Sequence, residues 1–200
     1  MQQIKQQRKA RGPLHHFPKM QASERLMYET LTAENYPSLV EIFFDDDSEF
    51  TDHRFKNLAL AEQYAIEVSE SVYQAKHGGC DFLMRLKTTG EYIGTLHLFD
   101  YSLETFSDVP KRCSIGFAIA KPHRRQYYAT EAIHHLMEYA HAAHQKTKFL
   151  AYTKIPNRPA NALLKSLGMT LKNEDYYYGG DDSNYYVLER SPSSTDLAFI

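Results

Sequence analysis

Two hundred residues contain no tryptophan, only two cysteines and nine glycines, and no apolar run near the ~20 residues that a membrane-spanning helix needs. The basic start is not followed by an apolar segment, so no secretory signal is read and a cytoplasmic protein is expected. Cys80 and Cys113 lie in apolar, strand-like stretches. That excludes a disulfide-stapled scaffold and argues for reduced, buried thiols with no metal site. Net charge is close to nil, at -2, so the body has no polyanion-binding character. The imbalance sits at one end: Lys5, Arg8, Lys9, Arg11 and Lys19 fall in the first 20 residues, which hold no acid. No aromatic stacking pattern accompanies this arm, so nucleic acid is not expected as a partner, nor is a membrane.

What is present is ordinary: 42% hydrophobic and 24% charged residues, enough for one domain with a sizeable core. Residues 1–21 read as a basic arm without fixed structure, 22–190 as one globular domain and 191–200 as a Ser/Pro-containing tail. Glu24–Thr32 alternates as a first strand. Tyr36, Leu39, Val40 and Phe43 recur at helical spacing, and the acidic run Asp45–Asp47 is expected to end that helix on a solvated face. A second helix follows, stopped by Gly78-Gly79. "CDFLMRLK" and "EYIGTLHLFDY" flank "TTG" as a hairpin, and "KRCSIGFAIA" is a third strand. Ala129, Ala132, Ile133, Leu136, Met137, Ala140 and Ala143 then line one helical stripe. "KFLAYTKI" is a strand, and "NRPANALLKSLGM" a helix with Gly168 at the place of a C-terminal cap. Two strands close the domain. This order predicts an α/β mixed sheet, mostly antiparallel and twisted, with helices on both faces.

Four segments carry a further likeness: "SERLMYETLT", "EYIGTLHLFDY", "IGFAIAKPHRRQYYATEA" and "NRPANALLKSLGM". In this order, with these elements between them, the chain from about Ser23 to Arg190 resembles the GNAT acyltransferases, in the branch of the RimJ/RimL-type ribosomal-protein N-terminal acetyltransferases. Asn157 and Gly168-Met169 keep that family's spacing across a helix.

The resemblance implies acetyl-CoA as co-substrate and a coenzyme A loop of the form Q/R-x-x-G-x-G/A. Here the loop reads Arg124, Arg125, Gln126, Tyr127, Tyr128, Ala129 and runs into Thr130. Tyr127 stands at the central glycine, and Arg125 where many relatives carry another. Backbone amides at a helix N-terminus can hold a diphosphate without glycine, helped by the helix dipole. An ordinary right-handed turn would leave the side chains pointing outward, with Arg124 and Arg125 adding charge for the phosphates. Phe117, Ala118 and Ile119 would run beside the pantetheine arm, with an amide near the thioester carbonyl. Asn157 would lie near that arm, serve as a helix N-cap, or do both.

The catalytic positions depart from the family. Ser114 replaces its common glutamate, Ala160 its serine and Leu164 its tyrosine. Ser114 could still position a water, with His97 or Tyr152 as alternative proton carriers and packing as the competing role for each. Glu131 reads as a solvated or helix-terminus charge, and His134, His135, His141 and His144 as a solvated face. The expected reaction is acetyl transfer to a primary amine, a protein N-terminus or a small amine, by direct attack in a ternary complex. A binding or regulatory module that has lost catalysis is the alternative. A monomer or homodimer fits either.

Overall fold

The computed structural model describes residues 19–69, 80–99, 112–172 and 183–190. Most of the basic arm, Gly78-Gly79 and the tail lie outside the described residues. Met20, in the stretch read as arm, is buried in the core.

The element order follows the sequence reading. Strand β1 (Leu26–Thr30) is followed by helices α1 (Pro37–Phe43) and α2 (Leu58–Ser69), with a 3-10 turn at His53–Lys56 between them. Then come β2 (Cys80–Leu86), β3 (Tyr92–Phe99), β4 (Arg112–Ile119), α3 (Tyr128–His144), β5 (Lys148–Lys154), α4 (Arg158–Ser166), β6 (Thr170–Lys172) and β7 (Ser183–Glu189). The start signals are local. Pro37 opens α1, Asp52 accepts the Arg54 amide at 2.9 Å to cap the 3-10 turn, and Asn57 accepts the Leu60 amide at 3.1 Å to cap α2. Helix α4 stops at Gly168, φ 78, with Gly168 N bonded to Lys165 O and Met169 N to Leu164 O. This is the paired hydrogen-bond stop that a left-handed glycine permits.

The seven strands form one sheet in the order β1-β2-β3-β4-β5-β7-β6, antiparallel throughout except for the parallel pair β4/β5. Alternation along the strands divides two apolar layers. On one face Phe82, Met84, Leu96, Phe149 and Tyr186 pack with Ile133, Leu136 and Met137 of α3 and Leu164 of α4. On the other, Leu83 packs with Leu39, Phe43, Phe55, Ala61 and Tyr64 from α1, α2 and the turn between them. Helices therefore cover both faces. Cys80 and Cys113 are buried thiols outside any disulfide, and burial pushes the Cys80 thiol up, away from reactivity.

Three side chains depart from their expected solvent exposure. Asp46 is buried between exposed Asp45 and Asp47. Glu131 is half-buried, accepting from Ser23 Oγ (2.6 Å), Arg25 N (2.7 Å) and Arg25 Nε (2.7 Å). In the histidine row, His135 is half-buried, bonds to Gln21 O at 2.7 Å and stacks on Tyr28, whereas His141 stays exposed. Partners distant in sequence draw Asp46, Glu131 and His135 inward, so the histidine row is not a purely solvated face.

Candidate active site

Strands β4 and β5 pair only at their start, through Arg112↔Lys148, Cys113↔Phe149 and Ser114↔Leu150. Beyond Ser114 they part. Residues 115–119 of β4 stay hydrogen-bonded to β3 on one side, while the other side has no β5 partner. The gap opens a cleft of ≈ 1560 Å³ between Ile115–Ile119 and Ala151–Lys154. Single-ligand pockets run to about 300–1,000 Å³, so there is room for two reactants. Phe117, Ala118 and Ile119 lie on its wall.

The loop after β4 forms the floor. Arg125 has φ 61 and Tyr127 φ 64, so both are left-handed, and Tyr127 is the N-cap of α3. The ordinary right-handed turn expected from the sequence is not the one adopted. The chain keeps left-handed geometry at the two positions where relatives carry glycine, at a cost of about 1–2 kcal/mol for an L-residue. No side chain caps α3, and its first helical bond is Glu131 N to Tyr127 O at 3.1 Å. The amides of Tyr128, Ala129 and Thr130 thus begin the helix without an intrahelical acceptor, which suits an anion. Arg125, Gln126 and Tyr127 are exposed, Tyr127 at 79%. Gln126 donates to Pro122 O at 3.1 Å, and Arg25 braces the loop by donating to Gln126 O at 3.1 Å over the Tyr128 ring. Arg124 turns elsewhere: its Nε donates to Ile119 O at 2.8 Å and its terminal nitrogen meets Asp46.

Opposite this loop, residues 48–54 form the other wall. Asp52 is held by Arg54 through 3.0 and 2.5 Å hydrogen bonds. Burial would raise the Asp52 pKa, but these bonds outweigh it and hold the carboxyl below its usual range. Glu49 also lines this wall and is exposed.

The proton-carrier candidates sit at different depths. Tyr152 lines the cleft and stacks on Tyr185 at 4.9 Å. Ser114 is buried, and its hydroxyl has no hydrogen-bond partner among the described residues. His97 lies one strand behind the lining, paired with Gly116, its side chain 12% exposed. It belongs to a buried polar group that sequence reasoning missed. Its Nδ1 is 2.9 Å from Asp81 Oδ1, an ion-pair contact without hydrogen-bond alignment. Its Nε2 is 3.1 Å from Thr95 Oγ1, Tyr64 donates to Asp81, and Phe55 stacks on the imidazole. Asn157 caps α4, accepting from Ala160 N at 3.3 Å, and lines the cleft as well. The hub beneath it is Asn161, also missed. Its Nδ2 donates to Lys154 O, Ile155 O and Asn157 O, and its Oδ1 accepts from Asn184 and Tyr186.

The parallel pair parts beside the uncapped N-terminus of α3, and the cleft between them has two distinct walls. The acetyltransferase (GNAT) domain profile matches residues 25–170, and the chain belongs to this family of acetyltransferases. No curated protein matches it. Among solved structures it resembles an acetyltransferase from Salmonella typhimurium that modifies the N-terminal serine of the ribosomal protein L7/L12. Identity is 15% over 88% of this chain and 99% of that one, with a TM-score of 0.65. The RimL ribosomal L7/L12 α-N-protein acetyltransferase in complex with coenzyme A is 15% identical over 86% and 97%, TM-score 0.65. A spermidine N-acetyltransferase chimera from Vibrio cholerae and a second source is 12% identical over 83% and 96%, TM-score 0.64. The domain is thus an N-acetyltransferase, and among the described residues no helix is long and apolar enough to cross a membrane.

Proposed function

We propose that the protein moves the acetyl group of acetyl-CoA to a primary amine by direct attack in a ternary complex. The observation that carries this reading is the cleft between diverging β4 and β5, with uncapped helix amides at one wall and the 48–54 loop at the other. The amides of Tyr128, Ala129 and Thr130, with exposed Arg125, hold the diphosphate. The backbone of Phe117, Ala118 and Ile119 supports the pantetheine arm, and a β4 amide N–H donates to the oxyanion that forms at the thioester carbonyl. Asn157 closes the far side.

The amine must be neutral to attack. A primary ammonium has a pKa near ~10.4 in water, so a group in the cleft takes its proton. The C–N bond forms first, giving the tetrahedral oxyanion; its collapse breaks the C–S bond, and the sulfur leaves as the protonated thiol. The proposed acceptor is His97, set against Asp81 one strand behind the lining and reached through a water. Ser114, diagonally across from it on β4, holds a bridging water, and Tyr152 stands where it can return a proton to sulfur. Acceptors fall into two classes, protein N-terminal amines and small amines.

A binding module without turnover has one observation in its favour: the Arg124 guanidinium is already engaged by Asp46. Calorimetry with acetyl-CoA, followed by turnover with a free N-terminal serine peptide and with spermidine, separates the two. Binding plus turnover that falls in His97→Gln supports the enzyme. Binding without turnover supports the module, and no binding at millimolar ligand defeats both.

A further inference from the structure

One buried carboxylate joins the two walls of the cleft. The Asp46 side chain is 1% exposed. Its Oδ1 accepts the Ser48 amide at 3.0 Å, and its Oδ2 accepts the Thr51 hydroxyl at 2.9 Å and meets the Arg124 guanidinium. Arg124 also holds the last carbonyl of β4, Ile119 O, at 2.8 Å. An exposed second tie runs from Lys121 to Asp47 at 2.9 Å. The same carboxylate therefore shapes the acceptor-side loop and grips the cofactor-side loop. A buried carboxylate left without its cation is strongly destabilising. Arg124 cannot turn to a phosphate without stranding Asp46.

We propose that Asp46 is a positioning residue. It withholds Arg124 from the diphosphate and fixes the 46–52 loop against the 119–127 loop, so that filling the cofactor side sets the acceptor side. This rests on the acetyl-CoA reading of the cleft. The charge is internal to the protein, and the phosphates are left to backbone amides and Arg125.

The test compares wild type, Asp46→Asn, Arg124→Ala and the double variant. Coenzyme A affinity is read by calorimetry, and amide exchange is followed over 46–52 and 121–127. Kinetics use acetyl-CoA with a free N-terminal serine peptide. Arg124→Ala should leave coenzyme A affinity within about twofold, and Asp46→Asn should match wild type or bind up to about fivefold tighter, the scale of an exposed ion pair. Each single change should speed exchange in both loops, with the double variant adding little, as coupled partners do. Acceptor KM should rise while acetyl-CoA KM stays flat, a split that general destabilisation does not produce.

Weakening of coenzyme A by about tenfold or more in Arg124→Ala, with Asp46→Asn neutral, would make Arg124 a phosphate ligand and overturn the proposal. Unchanged exchange, or a change confined to one loop, overturns it as well. If wild type does not bind coenzyme A, the functional reading fails, while the paired exchange still decides the coupling. If Asp46→Asn does not fold, Arg124→Ala decides both readouts.

Discussion

Tyr127 is the sharpest place to perturb the site. It holds φ 64 and ψ 9, the residue is 79% exposed, and no side-chain bond caps the helix it starts. Left-handed backbone costs an L-residue about 1–2 kcal/mol, and glycine escapes that cost. Glycine gives back about 0.4–1 kcal/mol through the freer unfolded chain. An exposed ring loses little burial when removed, so Tyr127→Gly should be neutral or stabilising by up to about 1 kcal/mol. Tyr127→Val keeps the strain and adds a β-branch that fits φ > 0 poorly. The gap between the Gly and Val variants should be about 1–2 kcal/mol, or about 2–8 °C in Tm for a chain of this size. Tyr127→Asn should fall between them. Thermal unfolding by circular dichroism without ligand, checked by urea midpoints, reads this order directly. Equal stability of the Gly and Val variants would refute the left-handed cap and the loop geometry built on it.

Other changes test the frame around the cleft. Asn161→Ala strands the hydroxyl of fully buried Tyr186 and the carbonyls Asn161 serves, and should cost about 3 kcal/mol or more in urea unfolding; a loss under about 1 kcal/mol would deny it the hub role. At Gly94 an added Cβ would overlap the Ala118 carbonyl oxygen and crowd Met84 Cε at 2.8 Å, so Gly94→Ala should push β3 from β4 and lower both Tm and coenzyme A affinity; wild-type values for both would disprove the close approach. For Glu131, burial raises the pKa, but hydrogen bonds from Ser23 and Arg25 outweigh it and leave it lowered. Its stabilisation is therefore complete above the unfolded carboxylate pKa of ~4.3 and disappears as pH falls through the lower folded value. Urea midpoints of Glu131→Gln should vary less than wild type below about pH 5, and parallel pH curves would remove Glu131 from that dependence.

The order of elements along the chain and most of their bounds were legible because they rest on local signals. Alternation marked the strands, the "TTG" turn joined the hairpin, and Gly168 ended α4. The family likeness carried the placement of the loop and of Asn157. What was not legible depends on partners far along the chain. Asp46 and Arg124 are 78 residues apart, and an acidic triplet in isolation reads as solvated surface. Asn161 and Asp81 carry no motif, and only the folded sheet brings Tyr186 and His97 to them. The left-handed loop was hidden for another reason: its residues are poor left-handed formers, so propensity argued against the conformation that the surrounding structure imposes.

The short β4/β5 seam has a mechanical meaning. Backbone hydrogen bonds between these strands end at Ser114 and Leu150, while the apolar layer containing Phe149, Leu164 and Tyr186 continues across the divide. Hydrogen-bond ladders fix a register, whereas apolar packing is non-directional and accepts small slides. The two half-sheets therefore form a pair of jaws with a stiff pivot at one end and a compliant opening at the other. On the proposed acetyl-CoA reading, acyl groups bulkier than acetyl should be resisted most near the pivot and least at the rim.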